Sequence, residues 1–175
     1  MSIYSPWFRK WIAAIHANET YLARSPVPNA NSPPIREEFK SIFSEQIPRA
    51  PPSHSLSDVD QKHFGALWPA GEHAARERLE KFCSEMIQGY ALHRSEPGSE
   101  ATSCLSVHLS QGTISARTCI RLARATNTSN KFDKGNAGNI SWISEVAWRD
   151  FYRRIVHDVF RNLIPRCSGG LASCM

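Results

Sequence analysis

Nowhere in the 175-residue chain do about 18 apolar residues follow one another, and no charged segment leading into an apolar one opens it. Neither a membrane span nor a secretory leader is therefore expected. There is no P-loop, GxGxxG, HExxH or GxSxG, which removes the common phosphate cradles, the zinc-hydrolase helix and the nucleophile elbow. The five cysteines, Cys83, Cys104, Cys119, Cys167 and Cys174, are odd in number and contain no CxxC pair. His54, His63, His73, His93, His108 and His157 show no ligand spacing, so no metal site is expected. Reduced thiols fit an intracellular protein, with a nuclear or a mitochondrial address both open. No internal repeat and no strand-rich stretch occurs, and the fold class read from the chain is all-α.

What the chain does contain falls into zones. Residues 1–24 hold a short docking helix, with Pro6 at a plausible first helical position and Trp7, Trp11, Ala14 and Ile15 at helical spacing. From 25 to 67 the prolines at 26, 28, 33, 34, 48, 51 and 52 block continuous helix, so this reads as a Pro-rich linker with a brief helical stretch at 35–43. Residues 68–164 form a helical domain. Its first helix, 71–93, carries Ala74, Ala75, Leu79, Phe82, Cys83, Met86, Ile87 and Tyr90 on one stripe.

A break at Pro97–Gly98 precedes a short helix stopped by Gly112. Ser115 then caps a helix over 116–125, whose Arg117, Arg121 and Arg124 read either as a solvated basic face or as a nucleic-acid contact. A polar loop over 126–138 leads to the central helix, 139–154. The net charge of +5 favours a polyanionic partner. The last segment, 165–175, lacks helical periodicity and reads as an aberrant or disordered tail.

The central helix has an unusual face. At 3.6 residues per turn, Trp142, Glu145, Trp148, Arg149, Tyr152 and Arg153 fall within an arc of roughly 140°. Two readings fit. In one the aromatics are core and the charges pair along the helix, as Glu145 would with Arg149. In the other, flat π surface beside bidentate donors stacks a planar base or ring and holds a phosphate.

The segment Trp-Ile-Ser-Glu-Val-Ala-Trp-Arg-Asp-Phe-Tyr-Arg, residues 142–153, resembles the pattern W-x-x-E-[LV]-x-W-R-[DE]-F-Y-R of the DNA photolyase and cryptochrome family. A second block, Tyr90, Arg94, Pro97 and then Thr102-Ser-Cys-Leu-Ser106, is similar to that family's Y-x-x-x-R-x-x-P followed by T-S-x-L-S. A third, Trp68-Pro-Ala-Gly-Glu72, looks like the start of the flavin domain in fungal-type members.

The resemblance implies a partial multihelical FAD-binding domain. It also implies that the α/β antenna domain, and with it a second chromophore, is not expected. Tyr90, Thr102, Ser103, Leu105, Ser106, Trp142 and Arg149 would contact FAD, the hydroxyls around its diphosphate. Arg94, Glu145, Trp148, Arg149, Tyr152 and Arg153 would meet damaged DNA, Glu145 and Trp148 at the lesion. Arg154 departs from the histidine usual after F-Y-R.

The family activity implied is light-driven repair of cyclobutane pyrimidine dimers by electron transfer from reduced FAD. The alternatives are a cryptochrome-like FAD-binding module without repair, and a helical remnant. Because the family's flavin ring pocket lies largely in helices this chain does not match, the chain alone is expected to be inactive. It is also expected to show an apolar face open to a partner or to aggregation.

Overall fold

Trp142, Ile143, Val146, Ala147 and Phe151 recur at three- and four-residue intervals, which places them on one stripe of a helix, and all five are buried. They form the inner side of the longest element in a computed structural model that describes residues 3–46 and 51–163. Among the described residues every regular element is helical: α1 (Tyr4–Ala17), α2 (Pro33–Glu38), α3 (Lys40–Ser44), α4 (Asp58–Leu67), α5 (Glu72–Lys81), α6 (Tyr90–His93), α7 (Ser106–Gln111), α8 (Ala116–Ala125) and α9 (Ala137–Leu163). The chain divides into two units, Met1–Ala23 with Glu72–Met175, and Arg24–Gly71. The tail expected at 165–175 lies outside the described residues.

In the first unit the core is built by α1, α5, α8 and α9 around Leu79, Phe82, Ile87, Cys119, Ile120 and Ile143. Phe132, in the polar loop before α9, is fully buried and closes this core against Trp11, a position that loop composition conceals. Asn127 organises the loop: its Oδ1 accepts from the amides of Thr128 and Asn136, and its Nδ2 donates to the carbonyls of Lys131 and Lys134. Asn136 Oδ1 then accepts from the Gly138 and Asn139 amides and starts α9.

The helix expected over 71–93 is not uniform. After α5 the backbone widens into a π turn (Phe82–Met86), tightens into a 3₁₀ turn (Ile87–Gly89) and resumes as α6. Two causes are visible. The Ser84 hydroxyl donates back to the carbonyls of Glu80 and Lys81, competing with the regular ladder. Gly138 also lies so close that a Cβ there would sit 1.9 Å from the Ile87 carbonyl oxygen. The irregular turn is where the start of α9 is seated.

Arg121 and Arg124 of α8 correct the solvated-face reading, whereas Arg117 is exposed as that reading expects. Arg121 donates to the Leu22 carbonyl at 2.6 Å and to Thr118 Oγ1. Arg124 pairs with Glu19 at 3.1 Å while lying over the Phe132 ring. Both hold the 3₁₀ turn Glu19–Leu22 after α1.

The second unit has no buried side chain among its described residues. The helical stretch at 35–43 appears as α2 and α3. The helix α4 breaks the Pro-rich reading, and its signal is plain in hindsight: the Ser57 hydroxyl accepts from the Asp60 amide and donates to the Asp60 carboxylate, a capping arrangement.

Candidate functional site

The outward arc of α9 is shared among the elements packed beside it, in the order the helix turns. Ser144 and Trp148, one turn apart, meet α1. Ser141 and Glu145, also one turn apart, meet the end of α6, and Arg149 reaches α7. Trp142 points inward.

At the end of α6, Arg94 donates to Ser141 Oγ at 3.1 Å and forms an ion pair with the Glu145 carboxylate. That hydrogen bond and charge hold the guanidinium still more firmly protonated. The Tyr90 phenol sits beside them and is pushed up by burial and by the Glu145 charge, with Arg94 pulling it back. It is therefore a neutral donor at physiological pH. The ion-pair side chains are 39% and 42% exposed, and a pair this open is worth about 1 kcal/mol or less. Glu145 can exchange Arg94 for another donor at little cost.

The segment Thr102–Leu105 is irregular loop before α7. Cys104 has φ 49°, in the left-handed region that a side chain rarely adopts, a strain that re-aims the loop as it enters the helix. The residue at the α7 N-cap is Leu105, with no side-chain hydrogen bond to the helix. Thr102 Oγ1 instead approaches Cys104 Sγ at 3.4 Å. The hydroxyls of this loop thus do not act as the N-cap of α7. Leu105 itself is core, 1% exposed, so its side chain offers nothing to a ligand.

Trp142 is 3% exposed and packs on Phe82 at 5.2 Å, while Phe82 also meets the Tyr90 ring edge-on. Arg149 donates to the Leu109 carbonyl at 3.1 Å, which ties α9 to the far end of α7. Trp148 is half-buried and carries Tyr4 on its face, with ring centroids 3.5 Å apart and planes 9° from parallel. Tyr152 and Arg153 are exposed.

Two surface hollows of about 240 and 380 Å³ lie elsewhere. One runs between Arg76 and Thr113–Ser115, the other between Glu85–Met86 and Ser99–Ala101, and no expected site residue lines either. No cluster of metal-ligating side chains occurs among the described residues.

Comparison with known proteins turns these placements into a relationship. The chain is 48% identical over 155 residues, 89% of its length, to a protein of Neurospora crassa named deoxyribodipyrimidine photo-lyase. The chain belongs to the DNA photolyase family. Photolyases of Vibrio cholerae and, under a name that specifies the mitochondrial enzyme, of Saccharomyces cerevisiae are each 29% identical over 88% and 87% of the chain. The chain spans 25% of the length of the Neurospora photolyase, 30% of the Vibrio one and 27% of the yeast one. No protein-family profile matches it, and no solved structure does.

Of the residues the photolyase resemblance selects, the structure brings Tyr90, Arg94 and Glu145 into one polar cluster and sets Trp148 one helical turn further along α9. It does not bring Arg149 or Trp142 into that cluster. Sequence reasoning missed Ser141 and Ser144, which precede Glu145 and Trp148 by four residues each and so share their faces, and it missed Tyr4. For the serines the four-residue interval was the available signal. For Tyr4, which lies far away in the chain, none was.

Proposed function

We propose that this chain supplies one wall of a photolyase-type site: donors for the diphosphate of FAD and a carboxylate and indole for a damaged pyrimidine pair in DNA. The activity we assign to the whole protein of which such a wall forms part is light-driven reversal of cyclobutane pyrimidine dimers. Bound FAD would supply the electron and take it back. The observation that carries the reading is the Tyr90–Arg94–Glu145 cluster, built by the motif residues of two segments about fifty positions apart.

The donor set fits a diphosphate. Tyr90 offers a neutral phenol, and Thr102, Ser103 and Ser106 offer hydroxyls that do not serve as the α7 N-cap; Leu105 would contribute through its main chain only, and the Arg94 guanidinium would reach a DNA phosphate. Glu145 would accept hydrogen bonds from a pyrimidine ring once Arg94 is drawn to phosphate. Trp148 would stack on that ring, and the exposed Tyr152 and Arg153 would border the DNA. Arg149 acts on this wall indirectly, by fixing α7 against α9. The flavin ring is another matter: the indole of Trp142 is 3% exposed and closed off by Phe82. Repair by this chain alone is therefore not expected. Work on DNA fits a nuclear or mitochondrial location, and no helix among the described residues is long and apolar enough to cross a membrane.

The test is to incubate the purified chain with FAD, separate it by gel filtration and record the absorbance of the protein peak. Co-eluting flavin, lost in Tyr90→Phe combined with Thr102→Ala, supports the diphosphate wall. A protein peak without flavin at any FAD concentration removes FAD binding from what this chain does by itself.

A further inference from the structure

A ring that lies 3.5 Å above an indole, 9° from parallel, takes up the whole of the space a stacked base would need. Tyr4 is such a ring. Its hydroxyl donates to the Ser144 carbonyl at 2.9 Å and meets the Ser144 hydroxyl at 2.8 Å. The single phenolic proton goes to the carbonyl, so the serine hydroxyl is the donor in the second contact. Ser144 precedes Trp148 by one turn of α9, so the two hydrogen bonds and the stack fix Tyr4 over the indole together. Tyr152 adds a further, near-parallel ring 5.3 Å from the Trp148 centroid.

The backbone that carries Tyr4 is weakly held. Ile3, the N-cap of α1, makes no side-chain capping bond and is 66% exposed. The first main-chain bond of the helix, from the Trp7 amide to the Ile3 carbonyl, is long at 3.4 Å. An uncapped first turn frays readily. One turn later the helix is anchored, because Trp7 is buried against Phe151. Tyr4 can thus leave Trp148 by unwinding one turn, without dislodging the rest of α1.

We propose that Tyr4 is a gate on Trp148: it occupies the stacking position in the closed state, and a planar base stacks on the indole only when the first turn of α1 opens. The inference rests on the reading of Trp148 as the stacking residue of this site. Apparent affinity for a base is then the intrinsic affinity multiplied by the fraction of molecules with the gate open. Removing what holds Tyr4 should tighten binding.

The probes are two fluorescein-labelled oligothymidylates, one undamaged and one carrying a single cyclobutane thymine dimer, titrated with the full chain and followed by anisotropy. Tyr4→Ala, which loses stack and hydrogen bonds, is expected to bind about tenfold more tightly or better. Tyr4→Phe, which keeps the ring but not its bonds to Ser144, should gain roughly two- to tenfold. Adding Trp148→Ala should cancel either gain. A gain for the dimer alone supports both the gate and lesion recognition. An equal gain for both oligonucleotides supports the gate and removes lesion recognition. Unchanged, weaker or absent binding by Tyr4→Ala overturns the gate. Should that variant lose its helical circular dichroism, Tyr4→Phe decides alone, and an affinity no better than that of the parent overturns the proposal.

Discussion

Gly138 shows how much a single hydrogen can decide. A side chain there would meet the Ile87 carbonyl oxygen at 1.9 Å and the Gln88 carbonyl oxygen at 2.7 Å, and both are backbone atoms that cannot rotate away. Gly138→Ala must push the start of α9 off the turn beneath it, and overpacking of this kind costs about 1–3 kcal/mol. Gly65, inside α4 with nothing within 4 Å, is the matched control, where alanine favours the helix by up to about 1 kcal/mol. Urea unfolding followed by circular dichroism should show a lower midpoint for the first variant and no loss for the second. Nothing in the sequence marks Gly138, because a close approach depends on a partner fifty residues away. Glu145, Arg94 and Tyr90 were singled out for the opposite reason: they stand in two motifs that resemble the photolyase family, and the structure brings those two segments together.

Elements whose identity rests on local rules were readable in advance. Helix α8 runs from the Ser115 cap over the residues its spacing predicts, and α7 stops at Gly112, which has φ 77°. Elements shaped by their neighbours were not. The stripe over 71–93 foretold a helix, but the change of winding at Phe82–Gly89 comes from the Ser84 back-bond and the seat of Gly138. Helix α4 was hidden by the surrounding prolines despite its own cap.

The seam where the irregular turn meets α8 holds Cys83 and Cys119, both buried, with thiols pushed up to about 12 by desolvation. Well below pH 8 these thiols are neutral in folded and unfolded chains alike. As pH rises through the ordinary thiol value of about 9, the unfolded thiols ionise while the folded ones keep their protons, so the folded state binds more protons and stability falls until about pH 12. The urea midpoint should therefore drop between pH 8 and pH 10.5. It should drop less steeply in Cys119→Ala.

At the scale of the whole molecule, the polar and aromatic functions sit in the unit made of Met1–Ala23 and Glu72–Met175, whereas the large apolar side chains left exposed are mostly elsewhere. Ile3, Tyr21, Leu92, Val107, Tyr152 and Val156 are scattered over the first unit, while Val27, Ile35, Phe39, Ile42, Leu56, Val59, Phe64 and Leu67 all belong to Arg24–Gly71. The first unit is itself discontinuous in sequence. Its two pieces are joined by the aromatic packing of Tyr4, Trp7 and Phe8 around Trp148 and Phe151, and by Arg121 and Arg124 on the turn after α1. Covalent continuity through 24–71 is thus not what keeps α1 in place. A protease that nicks the chain between those residues should leave two peptides that travel through gel filtration as one particle and part only in denaturant. The same two peptides, made separately, should find each other and rebuild the α1–α9 seam, a split protein already present in the architecture.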